Sequence, residues 1–153
     1  MKLSVIIVNY NVKYYLDQCI RSVLHAFEVM QGSANLEIGA DSSEENGIAE
    51  LIVVDNHSAD GSVDYLEQRY PQEQYPMVRF VESSHNLGFA RANNIAIRQS
   101  RGEYVLLLNP DTIVGEDVLK KCVDFMDVHE NAGAVGVRML NATGKRAMES
   151  RRG

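Results

Sequence analysis

Only two of the 153 residues are cysteine, Cys19 and Cys122, and no second thiol stands near either. That excludes zinc-ligand spacing and a disulfide scaffold. Both fall at apolar positions of expected helices, where buried free thiols of a reducing cytoplasm belong. No apolar run approaches the roughly 18–20 residues of a membrane span. The opening Met1-Lys2-Leu3-Ser4-Val5-Ile6-Ile7-Val8 has a short apolar run and no small-residue cleavage site, so no secretory signal is expected. Internal repeats and low-complexity tracts are also missing. Positive charge is scarce: 15 Lys and Arg against 21 Asp and Glu, a net of −6. Five of the basic residues (Arg138, Lys145, Arg146, Arg151, Arg152) fall after position 136, where Glu149 is the only acid. The rest of the chain is more acidic still. Such a body is a poor surface for duplex nucleic acid, whose affinity rests on neutralised phosphates, and no nucleic-acid partner is expected. The basic tail can meet an anion or simply be solvated.

What is present is an average soluble composition, 45% hydrophobic and 24% charged, enough for one domain. Ser4–Val8 is a nearly continuous β-branched run, the pattern of a strand buried on both faces. Leu16, Ile20, Val23, Leu24 and Phe27 share one face of a helix expected from Tyr14 to Met30, with Asn11 as its cap or turn residue. Residues 31–49 are rich in Gly, Ser, Asn and acids. They read as an exposed, mobile insertion, with Leu36-Glu37-Ile38 a short extended piece. Further strands are expected at Leu51–Asp55, Val78–Val81, Tyr104–Leu108 and Ala134–Met139. Helices are expected after Ser58-Ala59-Asp60-Gly61, from Asn86-Leu87-Gly88 to Gln99, and over Glu116–His129. Strict alternation of strand and helix makes the class α/β, doubly wound on a mainly parallel sheet.

Ligands of such sheets sit beyond the C-terminal strand ends. There the first strand lacks the Gly-x-Gly-x-x-Gly of dinucleotide binding, no phosphate-loop pattern occurs, and no Gly-x-Ser-x-Gly elbow is found. Polar residues gather at those ends instead: Asn9, Tyr10 and Asn11; Asp55, Asn56 and His57; Asn109, Pro110 and Asp111. Tyr10 can stack on a base or pack in the core. Asp55 can accept from a pyrimidine imide N–H or a ribose hydroxyl. Asp111 can hold a divalent cation against a diphosphate, since Mg²⁺ takes few protein carboxylates.

Four blocks carry a resemblance: Ser4-Val5-Ile6-Ile7-Val8-Asn9-Tyr10-Asn11, Ile52-Val53-Val54-Asp55-Asn56-His57-Ser58-Ala59-Asp60-Gly61-Ser62, Asn86-Leu87-Gly88-Phe89-Ala90-Arg91-Ala92-Asn93-Asn94 and Tyr104-Val105-Leu106-Leu107-Leu108-Asn109-Pro110-Asp111. In order and spacing they resemble the signature blocks of family 2 glycosyltransferases, and the Asn-Pro-Asp form is similar to the rhamnosyltransferase branch of surface-polysaccharide assembly. The resemblance implies a GT-A nucleotide-diphospho-sugar fold and inverting transfer from a UDP-, dTDP- or GDP-sugar to a saccharide or lipid-linked acceptor. It implies a divalent cation, Mg²⁺ or Mn²⁺. Asp55 would recognise base and ribose. Asn109 and Asp111 would stand at the family's Asp-x-Asp position, with Asp111 the metal ligand. Asn94 matches the family's helix asparagine, and Asn86 and Gly88 its approach loop. Asn9, Tyr10 and Asn11 complete the donor-binding set.

Asn109 replaces an aspartate of the family pattern, and Ala96 stands where glycine is frequent. The family's catalytic base and acceptor segments lie beyond position 153, so the catalytic residue is unknown and the chain is expected to be the donor-binding part of a longer enzyme. That enzyme is expected in the cytoplasm, associating peripherally with the inner face of the cell membrane. A non-catalytic nucleotide-sugar-binding module, needing a partner or a further C-terminal half, is the alternative.

Overall fold

A computed structural model describes residues 1–37, 48–141 and 143–147. The chain runs β1 (Leu3–Asn9), α1 (Lys13–Glu37), β2 (Ala49–Asp55), α2 (Ser62–Arg69), β3 (Val78–Glu82), α3 (Phe89–Gln99), β4 (Tyr104–Leu108) and α4 (Val118–Val128). The four strands form one parallel sheet in the order β3-β2-β1-β4. After β3 the chain crosses back past β2 and β1 before forming β4. The strand order therefore reverses between β1 and β4, the position where open α/β sheets bind ligands.

The period-two geometry of the strands divides the core. Leu3, Val5 and Ile7 of β1 with Leu51 and Val53 of β2 point to one face. There they pack against Leu16, Ile20, Val23 and Phe27 of α1, Leu66 of α2, and Leu119 and Val123 of α4. Ile6, Val8, Ile52 and Val54 point to the other face and meet Ala92 and Ala96 of α3. Two alanines let that helix lie close to the sheet, and Ala96 is fully buried there. All seven residues of β1 and of β2 are buried, so their unbroken apolar runs mark central strands.

Two expectations are corrected. The first helix does not stop at Met30 but continues to Glu37, so Leu36 and Glu37 are helical and not extended. Gln31, Ala34, Leu36 and Glu37 are adequate helix formers, and one interior glycine costs only about 1 kcal/mol. Ile38 and the rest of the expected insertion up to position 47 lie outside the described residues, as do Glu149, Arg151 and Arg152. The expected fifth strand, Ala134–Met139, is not a strand. Its Val135, Val137 and Met139 are exposed, and the described pairing nearby is an antiparallel bridge between Leu140 and Arg146. Alternating apolar residues make a strand only where a neighbouring edge takes up their backbone groups. Among the described residues, no helix is long and apolar enough to cross a membrane.

Candidate functional site

The C-terminal ends of β1 and β2 are tied together by hydrogen bonds from uncharged donors. Asn9, the last residue of β1, is 1% exposed. Its Nδ2 donates to Asp55 Oδ1 at 2.7 Å and to Ser58 Oγ at 3.1 Å. The Ser58 amide donates to Asp55 Oδ2 at 2.9 Å. Asn11 completes the tie: its N–H donates to Ser58 Oγ at 3.0 Å, and its Oδ1 accepts from the Ala59 amide at 2.7 Å. Both loops turn through left-handed residues, Asn11 (φ 56°) and His57 (φ 70°). Non-glycine residues take that conformation at a cost, and asparagine and histidine are among those that tolerate it best.

Asp60 anchors the two helices that start here. Its Oδ2 accepts from the Lys13 amide at 3.0 Å, and its Oδ1 accepts from the Ser62 amide at 3.1 Å and from the Ser62 hydroxyl. Lys13 Nζ returns a bond to the Asp60 carbonyl at 2.8 Å. Burial alone would raise the Asp60 carboxyl, but the bonds from Ser62 and Lys13 hold it below its ordinary value. Asp60, and not Asn11, therefore meets the first amide of α1, while Asn11 is a turn residue. The sequence marked Ser58 and Asp60 only as parts of a turn. Their bonds to β1 and α1 span 47 to 49 positions and leave no local pattern.

Asp55 is 8% exposed, and it is also the residue where β2 opens into a cleft of about 250 Å³. Asp55 and Ser58, Asp64 and Glu67 of α2, and Glu82 and Ser83 at the end of β3 line it. Asp55 faces Glu82 in the strand register. Four carboxylates make this end of the rim an acceptor surface that repels phosphate.

At the β4 end, Asn109 and Asp111 are exposed. The loop is pinned to α1: the Asn109 carbonyl accepts from Cys19 Sγ at 3.6 Å, and the Val114 amide donates to Ser22 Oγ at 3.0 Å. Burial pushes the Cys19 thiol up to about 12, so it is a packing group and not a nucleophile. Cys122, half-buried, is also a free thiol. No cluster of three or more His, Cys, Asp or Glu suited to a metal ion occurs among the described residues. The exposed Asp111 carboxylate and Asn109 amide are oxygen donors that fit a hard cation whose other ligands come from a diphosphate and water.

Tyr10 is half exposed, which settles it as a rim residue and not a core one. Asn86 positions the entry to α3: its Oδ1 accepts from Asn56 Nδ2 and from the Gly88 amide, both at 2.9 Å, while Asn56 Oδ1 accepts from the Leu87 amide. Gly88 turns at φ 75°, ψ 165°, which favours glycine. Asn94 is exposed on α3, whereas its neighbour Asn93 is buried and donates to the Phe89 carbonyl. The structure thus joins Asn9 and Asp55 directly and Asn11 to both through Ser58, sets Asn86 and Gly88 beside them through Asn56, and places Asn109 and Asp111 just past the end of β4, across the switch point.

Sequence comparison matches residues 4–152 to the family described as glycosyl transferase family 2. The teichuronic acid biosynthesis glycosyltransferase TuaG (putative) of Bacillus subtilis is 32% identical over 80% of this chain and 41% of its own length. The minor teichoic acid biosynthesis protein GgaB of the same organism is 30% identical over 84% of this chain and 12% of its own. Among solved structures, S. aureus TarS 1-349 in complex with UDP-GlcNAc superposes with a TM-score of 0.63 at 24% identity, covering 92% of this chain and 38% of that one. The mannosyltransferase PcManGT from Pyrobaculum calidifontis, in complex with GDP-Man and Mn²⁺, gives 0.64 at 21% identity, covering 82% and 32%. These structures share the fold. The chain spans less than half the length of each of these four proteins.

Proposed function

The chain belongs to glycosyl transferase family 2, and from that premise we propose that it is the donor-binding part of an inverting glycosyltransferase. It takes a nucleoside-diphosphate sugar, UDP-, dTDP- or GDP-linked, and presents the sugar to a polysaccharide or lipid-linked acceptor. The observation that carries this reading is the placement of Asn9, Asp55, Asn109 and Asp111 at or just past the C-terminal ends of three adjacent parallel strands that flank the switch point. The donors bound in the two solved relatives support it, as does the cell-surface polymer chemistry in the relatives' names. Its Asn-Pro-Asp form favours a hexosyl or rhamnosyl donor. A lipid-linked acceptor sets the complete enzyme to work at the cytoplasmic face of the cell membrane.

Asp55, held by Asn9 and Ser58, accepts hydrogen bonds from the nucleoside. Tyr10, exposed at the rim, offers a ring face for the base. Asn86, Gly88 and Asn94 border the donor where α3 begins. Asn109 and Asp111 would hold a divalent cation, Mg²⁺ or Mn²⁺, which supplies charge neutralisation on the leaving diphosphate. In the transfer the acceptor hydroxyl oxygen bonds to the anomeric carbon and gives up its proton to a general base supplied outside these donor-binding residues. The bond from that carbon to the diphosphate oxygen breaks, through an oxocarbenium-like transition state.

Titration calorimetry of the chain with UDP-, dTDP- and GDP-sugars, with and without Mn²⁺ or Mg²⁺, tests the reading. Saturable binding of at least one donor is expected, tightened about tenfold by the cation, which corresponds to roughly 1.4 kcal/mol. Asp111→Ala should abolish that dependence. Silence towards every sugar nucleotide sinks the proposal.

A further inference from the structure

The flank of the domain between α1 and α2 holds a charged cluster that the donor rim does not use. At its centre is Asp17 of α1, 4% exposed. Its Oδ1 accepts from the Tyr70 hydroxyl at 2.6 Å, and its Oδ2 from the Tyr65 hydroxyl at 3.4 Å. Two guanidiniums also close on it, Arg69 through Nε at 2.8 Å and Arg21 through Nη2 at 3.2 Å. Neither arginine pairs with another acid among the described residues. One cation offsets one carboxylate, so the trio keeps a surplus positive charge in a chain whose net charge is −6. Asp17 fixes both guanidiniums, yet their side chains remain 55% and 43% exposed, so part of each fork is free to meet a ligand. An arginine fork already held in place loses little freedom when it grips a carboxylate or a phosphate.

Arg21 and Arg69 open onto a cleft of about 520 Å³, walled by Leu24, Tyr70 and Tyr75. The two tyrosine rings meet edge to face at 5.2 Å, so the buried Tyr70 backs the half-buried Tyr75. Glu28, the acid at the margin, is 77% exposed and pairs with His25 Nδ1 at 3.2 Å. The cleft shares no lining residue with the one beside Asp55. Arg21 and Arg69 stand eight and seven residues into helices that start at the rim, about 10–12 Å down their axes. We propose that this flank cleft is a second binding site, for an anionic glycan: the Arg21 and Arg69 guanidiniums take its carboxylate or phosphate groups, and Tyr75 with Leu24 takes the apolar face of its sugar or polyol carbons. A tyrosine ring, apolar in body and polar at its tip, suits such a mixed surface. The choice of a glycan over an acidic peptide rests on the sugar-transfer reading above; the surplus charge and the cleft do not. A saccharide chain gripped here stays on the protein while the donor rim remains open.

Titration calorimetry of the chain with hexagalacturonate, a glycerol phosphate hexamer, maltohexaose, hexaglutamate and inorganic phosphate is the test. At least one of the two anionic glycan hexamers should bind saturably, and severalfold more weakly at about 300 mM salt than at about 50 mM. Maltohexaose, hexaglutamate and phosphate should each bind at least about tenfold more weakly than that hexamer. Arg21→Gln should weaken the hexamer about fivefold, and Arg21→Lys should recover only part of the loss, because it returns the charge without the fork. A sugar nucleotide that binds the wild type should bind Arg21→Gln equally well, and saturating it should leave the hexamer affinity unchanged. Silence towards both anionic hexamers, or wild-type hexamer affinity in Arg21→Gln, overturns the site. Hexaglutamate, phosphate or maltohexaose binding as tightly as the hexamer overturns the glycan assignment. Hexamer binding without any sugar-nucleotide binding overturns the donor site alone and leaves this cleft standing. The wild-type comparison needs no variant and remains decisive if Arg21→Gln does not fold.

Discussion

β2 carries a buried carboxylate at each end, and the two are treated in opposite ways. Glu50, at the start, is fully buried and saturated. Its Oε1 accepts from Ser4 Oγ and the Arg101 amide, both at 2.7 Å. Its Oε2 accepts from Arg101 Nε at 3.1 Å, Arg101 Nη2 at 3.0 Å and Arg79 Nη2 at 3.3 Å. Asp55, five residues on, is held only by an asparagine amide and a backbone N–H, with no ion pair among the described residues. Glu50 is closed in by two arginines; Asp55 is oriented by neutral donors with no cation against it among the described residues. The same strand thus builds one acid closed in by arginines and one, proposed above to bind the donor, that faces a cleft, and the difference lies in whether cations close around them.

Exchanging the two acids for amides should separate their roles most sharply. Asp55→Asn keeps the shape but replaces one acceptor oxygen by an amide donor. Nucleotide binding should fall about a hundredfold, roughly 2.7 kcal/mol, with the thermal midpoint nearly unchanged. Glu50→Gln should do the reverse. It strips the buried charge from Arg79 and Arg101, whose partial exposure softens the loss to about 2–3 kcal/mol. At this chain length that lowers the midpoint by roughly 4–12 °C, leaving the affinity of the folded fraction unchanged. Calorimetry and thermal unfolding on both variants check the pair. If Glu50→Gln weakened binding as much as Asp55→Asn, the division would collapse.

Gly102 breaks the comparison from the structural side. A Cβ there would lie 2.4 Å from the Ser4 backbone nitrogen and 2.6 Å from the Leu3 carbonyl carbon, both in a central strand. The residue also donates to Ser4 Oγ at 2.8 Å, the hydroxyl that serves Glu50. Gly102→Ala should cost about 1–3 kcal/mol through overpacking, visible as a lower denaturation midpoint, with nucleotide selectivity intact.

Much of this division was legible before the structure. The unbroken apolar runs announced β1, β2 and β4, and the polar residues that follow them announced the rim. Asp55 was found because it ends such a run. Glu50 was not, because a carboxylate preceding a strand core looks solvated until Arg79 and Arg101 arrive from 29 and 51 positions away. Ser58 and Asp60 were hidden for the same reason, their partners lying on another loop. The helix extension past Met30 was missed because Gly32, Ser33 and Asn35 read as breakers. The strand expected at Ala134–Met139 failed because the alternation of apolar residues records a preference, while pairing needs an edge.

The smallest effect concerns pH. Burial by itself would raise the Glu50 carboxyl, but the hydrogen bonds from Ser4 and Arg101 and the Arg101 charge outweigh it and hold the group below its ordinary 4.5. A carboxyl lowered by folding binds its proton more weakly in the native chain than in the unfolded one. Its stabilisation is therefore complete above the unfolded value and is lost as pH falls through the lowered one. The midpoint of thermal unfolding should be flat with respect to this group above 4.5 and decline below it. Glu50→Gln, which has no proton to take up, should start lower and decline less steeply over the same range. The gap between the two proteins then closes as the solution is acidified. A gap that stayed constant down to roughly pH 3 would mean that Glu50 contributes by packing and not by charge, and the contrast between the two ends of β2 would lose its electrostatic basis.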